Sequence, residues 1–203
     1  MSIKKRFLKI GVTGGIGSGK STVCAIIEKF GYPVFYADLE AKNLMNSNQE
    51  LIDGIKALFG SEAYQNGVLN RFHLAKVAFN NQHVLRDLNN LVHPWVRTEF
   101  ELFCQLNAHK KFIFNEAAIL FESGAYKSFD YNILVCANEE LRIHRVSERD
   151  NVSVSQVKER LKNQWSDNQK VPLSDFVISN NNEALEPQIE QVIETIKAHT
   201  GLL

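Results

Sequence analysis

Cysteine is scarce in this sequence: three in 203 residues, with no two forming a Cys-x-x-Cys pair. Cys24, Cys104 and Cys136 are far apart and set among apolar neighbours. That spacing excludes a zinc ribbon or a dithiol redox motif. It predicts buried, reduced thiols of the kind a reducing compartment allows. A surplus of one charge sign is also missing, because 23 Lys and Arg stand against 23 Asp and Glu. Domains that bind nucleic acid usually carry a basic excess, so no nucleic-acid partner is expected. An anionic ligand would have to be held by local groups rather than by a global field. Long apolar runs are absent: nothing approaches the roughly 18 residues that suggest a membrane span. The basic Lys4, Lys5 and Arg6 lead into a stretch broken by Lys9 and closed by Gly11. That stretch is too short for a signal-peptide core. Internal repeats and low-complexity tracts are lacking as well. These absences predict a soluble, cytoplasmic protein with no membrane partner; a monomer or weak homo-oligomer is expected, although nothing in the sequence specifies the oligomeric state.

What is present is an alternation of strand and helix patterns. A hydrophobic share of 44% and a charged share of 23% suit a globular chain with a full core. Phe7–Val12 reads as a first strand. From Lys20, Val23, Ile26, Ile27 and Phe30 fall at helical spacing, and Gly31 offers a stop. Val34–Ala37 reads as a second strand ending at Asp38. From about residue 40 to 107 helical segments dominate, with candidates at Leu51–Phe59, Phe72–Phe79 and Val96–Leu106, punctuated by Gly60, Gly67 and Pro94. Phe112–Phe114 and Ile133–Cys136 are the continuous apolar cores of strands buried on both faces. Glu139–Arg149 reads as a helix, and Ser153 with Gln156 forms a capping box that opens another. Phe176–Ile178 is a last strand. Ile189, Val192, Ile193 and Ile196 stripe a final helix. The pattern predicts a single α/β domain over 1–203 with a mostly parallel sheet.

One motif carries explicit chemistry. Gly14-Gly15-Ile16-Gly17-Ser18-Gly19-Lys20-Ser21 matches G-x-x-x-x-G-K-[ST] at every position. Glycines let the backbone curl and aim successive N–H groups at an anion. A helix beginning near Lys20 adds the positive end of its dipole. Gly15, Gly17, Ser18 and Gly19 would line that nest. Lys20 would reach the β- and γ-phosphates, Ser21 would place its hydroxyl on Mg²⁺, and Thr22 would stand near the α/β-phosphates. The motif implies a nucleoside triphosphate but not the acceptor.

Asp38 has two readings at this point. It could accept a proton from an acceptor hydroxyl, or it could cap the helix near Glu40–Met45. Glu116, after an apolar strand, could share the Mg²⁺ shell through water or be an ordinary solvated acid. Arg145 and Arg149 are four apart, hence on one helix face. They could neutralise phosphoryl charge or lie in a salt-bridged solvent face, while Arg142 reads as plain surface. His93 before Pro94 suggests an extended turn.

The block Gly14–Thr22, then Tyr36-Ala37-Asp38, His93-Pro94, Ile119-Leu120-Phe121-Glu122 and the tail from Gln164 through Lys170 and Asp175–Ile178 to Asn180, resembles the dephospho-CoA kinase family. The resemblance spans nearly the whole chain in order and spacing. It implies a P-loop kinase fold with a five-stranded parallel sheet flanked by helices. It further implies a helical substrate (CoA) region at about 40–107 and a lid at about 139–172. The implied reaction moves the ATP γ-phosphoryl group to the ribose 3′-hydroxyl of dephospho-CoA, with Mg²⁺. Asp38 would then be the catalytic carboxylate, with Lys20 and Arg145 beside the transferred group. His93 and Glu122 would face the acceptor and Asn180 the adenine. Tyr36 stands where the family often has Asp, and Ala118 where it has Pro. Lys170 would remain as a lid cation, although Asp167 is acidic where basic residues are usual. The alternatives are another small-molecule or nucleoside monophosphate kinase of this fold, a nucleotide-gated switch, or a motor or transport ATPase. A switch would need Asn-Lys-x-Asp and Asp-x-x-Gly motifs, and neither occurs.

Overall fold

The computed structural model describes residues 7–79 and 82–201. The elements, in chain order, are β1 (Leu8–Thr13), α1 (Lys20–Lys29), β2 (Val34–Tyr36), α2 (Ala37–Ser47), α3 (Gln49–Phe59), β3 (Tyr64–Gln65), β4 (Val68–Leu69), α4 (Arg71–Phe79), α5 (Gln82–Leu106), β5 (Phe112–Glu116), β6 (Tyr131–Cys136), α6 (Glu139–Asp150), α7 (Val154–Lys162), α8 (Asp167–Lys170), β7 (Phe176–Ser179) and α9 (Leu185–Thr200). Short 3₁₀ turns lie at Ser61–Ala63, Ala125–Ser128 and Val171–Leu173. The basic Lys4–Arg6 lie outside the described residues. No helix among the described residues is long and apolar enough to cross a membrane.

The main sheet has five strands in the order β2-β5-β1-β6-β7 and is parallel. β1 sits at its centre, with Ile10 opposite both Phe114 of β5 and Tyr131 of β6. Buried on both faces, these strands carry continuous apolar runs. Ile10, Val12, Phe112, Ile113, Phe114, Ile133, Leu134 and Ile178 are all at most 1% exposed. Val23 and Ile27 of α1 and Ile189 and Ile196 of α9 join that buried core. The predicted strands and helices of this half recur with ends moved by a few residues.

Residues divide into two compact units. One comprises the described residues up to Phe35 together with those from Leu106 onward, and the other is Tyr36–Gln105. The second unit has its own apolar clusters. Ile55, Phe59, Ala63, Leu69 and Leu74 form one; Leu44, Leu51 and Val92 form another, with Trp95 and Leu91 packed on it. Asn48 caps α3 by accepting from Leu51 N at 3.1 Å.

Two expectations about this stretch change. Pro94 does not punctuate it: α5 runs through the proline without a break. An interior proline forfeits one helical hydrogen bond and costs about 3 kcal/mol. Burial of Val92 and packing of Leu91, Trp95 and Val96 on both sides of it offset that loss. Gly67 marks more than a pause. With Asn66 it forms the turn of the antiparallel hairpin β3–β4, both residues having positive φ (51° and 78°). Asn-Gly is the residue pair that such two-residue turns favour.

The three cysteines are free. Cys24 and Cys104 are buried, but Cys136 is only partly so, which corrects the expectation for that residue. Burial, reinforced by the negative charge of Asp167, pushes the Cys136 thiol up to about 12, so it stays protonated and unreactive.

Candidate active site

β1 ends at Thr13, and the loop leaves its carboxyl end at the centre of the sheet. That is where parallel α/β sheets present ligands. The loop turns back into α1 with Gly19 as N-cap at φ 94°, and Gly17 also has positive φ, 78°. A side chain at either position would be strained. No side chain caps α1, so its first N–H groups remain as anion donors.

Lys20 reaches back across the loop. Its Nζ donates to Gly14 O at 3.0 Å and lies 3.8 Å from Glu116 Oε1. Glu116 is the last residue of β5, the strand beside β1. Both side chains are 12% exposed. A largely buried ammonium thus stands over the loop beside the Gly14 carbonyl and the Glu116 carboxylate. Ser21 and Thr22, in the first turn of α1, are exposed.

Other strand ends supply the rest. Asn180 follows β7 directly; its Nδ2 donates to Ser18 O at 2.8 Å and its own N–H donates to Cys136 O. A Cβ at position 19 would overlap that Asn180 amide, so Gly19 is needed for packing as well as for φ. Arg145 of α6 donates from Nη2 to Asn180 O at 3.0 Å. Its Nη1 is buried without a hydrogen-bond partner among the described residues, which leaves a directed cationic donor for a ligand.

Arg142 corrects the surface reading given to it. It is 8% exposed, and its Nε donates to Ile16 O at 3.0 Å. A Cβ on Gly15 would overlap its guanidinium. Its Nη1 lies 3.6 Å from Asp167 Oδ1. The available signal was spacing: Arg142 and the buried Val146 are four apart and share one helix face. Arg149, in contrast, is solvent-facing. It pairs with Asp150 at 2.8 Å, as Arg160 does at 2.6 Å, and the Arg149 hydrogen bond leads in holding Asp150 down near 2.

Lys170 is also corrected. It is fully buried rather than projecting as a lid cation, with Nζ 2.9 Å from Glu122 Oε1. The same Glu122 oxygen accepts from Trp165 N at 3.1 Å. Glu122 thus anchors the segment around Trp165 through Oε1, while its Oε2 is buried without a hydrogen-bond partner among the described residues. Gln164, not singled out from sequence, accepts from Ile16 N at 2.7 Å and donates weakly to Ala118 O at 3.4 Å.

Asp38 and His93 belong to the second unit. β2 stops at Tyr36, which is also the N-cap of α2. Asp38 is therefore the second residue of that helix and neither the strand end nor the cap. It is exposed. His93 is half-buried in α5 and not in a turn. Burial above all, then the Arg97 charge, lowers its pKa, while Asp38 opposes that shift. Asp38 and His93 are thus electrostatic neighbours.

A parallel sheet that presents this loop from its central strand, with Lys20 supplied by α1 and Arg145 by α6, is the fold of a P-loop kinase. Among such kinases the likeness is specific. The profile described as dephospho-CoA kinase matches residues 8–186. The dephospho-CoA kinase of Chlorobium chlorochromatii is 40% identical over 198 residues, covering 93% of each chain. A Thermus thermophilus crystal structure superposes with a TM-score of 0.80 at 34% identity, over 95% of this chain and 97% of that one. The dephospho-CoA kinase of Campylobacter jejuni does so at 0.68 and 28%, over 94% and 98%. The chain belongs to the dephospho-CoA kinase family.

Proposed function

We propose that the chain transfers the γ-phosphoryl group of ATP to the ribose 3′-hydroxyl of dephospho-CoA, giving coenzyme A and ADP. The observation that carries this reading is the Lys20 ammonium held between Gly14 O and Glu116 over a glycine loop, in a chain that matches the family along most of its length.

In this reading the loop amides of Gly17, Gly19 and Lys20 and the α1 N-terminus receive the β- and γ-phosphates, the Ile16 and Ser18 N–H groups being held by Gln164 and Gly15 O, and Lys20 exchanges Gly14 O for phosphate oxygen. Asn180 steadies the loop on the adenine side. Asp38 takes the proton of the 3′-hydroxyl as its oxygen bonds to Pγ. The bond from Pγ to the β-bridging oxygen breaks and the electron pair leaves with ADP. Arg145 Nη1 and Lys20 balance the charge of a loose transition state, in which positioning and electrostatics do most of the work. His93 flanks the acceptor, next to Asp38. Glu122 acts by holding the segment around Trp165.

Ser21 and Glu116 suit Mg²⁺. They offer one hydroxyl and one carboxylate, and this ion keeps several waters and binds through few protein oxygens plus phosphate. When bound, it would supply charge neutralisation across the β- and γ-phosphates. Soluble substrates of this kind fit a cytoplasmic enzyme that needs no membrane or nucleic-acid partner.

The test is direct. Purified protein with Mg²⁺, ATP and dephospho-CoA should yield CoA and ADP in equal amounts, read by chromatography. Phosphorylation of a nucleoside monophosphate, with no CoA formed, would overturn the assignment.

A further inference from the structure

Ile16 is the one residue of the phosphate loop whose two backbone groups are both taken by distant side chains. Its N–H donates to Gln164 Oε1 at 2.7 Å, and its C=O accepts from Arg142 Nε at 3.0 Å. The two partners come from different elements. Arg142 lies in α6, whereas Gln164 follows the end of α7.

Both partners are themselves fixed. Arg142 is 8% exposed and fills the space over Gly15 that a Cβ would otherwise take. Asp167, 3.6 Å from its Nη1, faces it from α8. Gln164 is steadied by Ala118 O at 3.4 Å. The next residue, Trp165, is tied through its N–H to Glu122, which also holds the buried Lys170. The segment 164–170 is therefore pinned twice, on the loop at Ile16 and on the chain after β5 at Glu122.

Ile16 leads into Gly17, Ser18 and Gly19; the Ser18 N–H donates to Gly15 O at 3.0 Å, and the Gly17 and Gly19 amides are those the proposed reading gives to the anion. A loop rich in glycine has many conformations to lose on ordering. Fixing the two peptide groups that flank Ile16 Cα, one through its N–H and the other through its C=O, removes much of that freedom before nucleotide arrives, and preorganised donors are the ones that help most.

We infer that Gln164 and Arg142 are a pair of positioning residues. Through the two peptide groups on either side of Ile16 they hold the phosphate loop in its binding form and couple it to the segment 164–170. This inference rests on the proposed kinase reading only for its effect on turnover; the effect on nucleotide binding stands apart from the acceptor's identity.

The experiment compares Gln164→Met, Arg142→Met and the double variant. Methionine keeps side-chain length while neither donating to nor accepting from the loop. Binding of a non-hydrolysable ATP analogue with Mg²⁺ is followed by calorimetry, and kcat and KM by CoA formation. Each single variant should weaken analogue binding and lower kcat/KM for ATP by about tenfold, with KM for dephospho-CoA within about twofold of the parent. Because both act through the backbone of one residue, Ile16, the double variant should lose little more than the worse single. Unchanged analogue binding in Gln164→Met, or losses that multiply in the double variant, would overturn the pairing. Parent protein that binds the analogue but makes no CoA would instead count against the acceptor assignment alone. Should the variants fail to fold, amide exchange of the parent decides. Strong protection of the Ile16 N–H supports the contact, and exchange at the rate of an open loop amide overturns it.

Discussion

At the residue scale, the loop and Asp38 divide the work. Lys20 is held by neighbours that a phosphate would replace, so its energetic role is tied to nucleotide. Asp38 stands exposed at the second position of α2, and its proposed task concerns the acceptor. Asp38→Asn is therefore expected to reduce kcat by roughly a hundredfold or more, the range typical for losing a positioned proton acceptor. KM for ATP should change by less than about threefold. Steady-state kinetics with both substrates varied would separate these effects. A variant with full kcat would leave Asp38 as nothing more than a favourable charge at a helix N-terminus.

At the element scale, two features of helices make stability predictions. Lys170 of α8 is fully buried against Glu122, whose side chain is 14% exposed. Removing one member of such a pair strands the other charge, which typically costs about 3 to 5 kcal/mol. Lys170→Met should lower the urea midpoint strongly. Adding Glu122→Gln, which keeps an acceptor for Trp165 N, should restore most of it. Equal instability in the double variant would show that the lysine stem and not the ion pair matters.

The second feature is His93 in α5, whose pKa is lowered, chiefly by burial and then by Arg97. The unfolded chain then binds the proton more readily than the folded one, so stability falls as pH drops through about 6.5 toward the folded value. Chemical denaturation at pH 7.5 and 5.5 should reveal this loss, and His93→Gln should shrink it. The same acidification should leave the variant's midpoint closer to its neutral-pH value.

At the scale of the whole molecule, the described residues divide into two units, and the unit Tyr36–Gln105 has Ile55, Phe59 and Leu74 in one buried cluster. Ile55→Ala should cost about 2 to 5 kcal/mol, as buried truncations do. The cost should be paid within residues 36–105. Hydrogen exchange should quicken across α3 and α5, while the amides of β1 and β6 keep their protection. Equal quickening in both units would mean that they unfold as one.

The sequence by itself determined the phosphate loop, since its eight residues are contiguous and their conformational demands are local. It also determined the strand–helix alternation of the sheet unit, because burial on both faces forces continuous apolar runs at Phe112–Phe114 and Ile133–Cys136. The Ser153–Gln156 capping box was equally local, and it is formed as read. The asparagine–glycine turn at 66–67 was legible too, had its pairing been followed. Tertiary structure alone decided the rest. Arg142 and Gln164 meet Ile16 across 126 and 148 positions, a separation at which no periodicity or spacing carries information. Lys170 looked like a surface cation because lysine is almost never buried unless paired, and its partner Glu122 lies on another segment. Pro94 stays inside a helix because packing from the neighbouring helices outweighs a local preference. Local chemistry could specify where phosphate binds; only the folded chain brings together the groups that hold that site in shape.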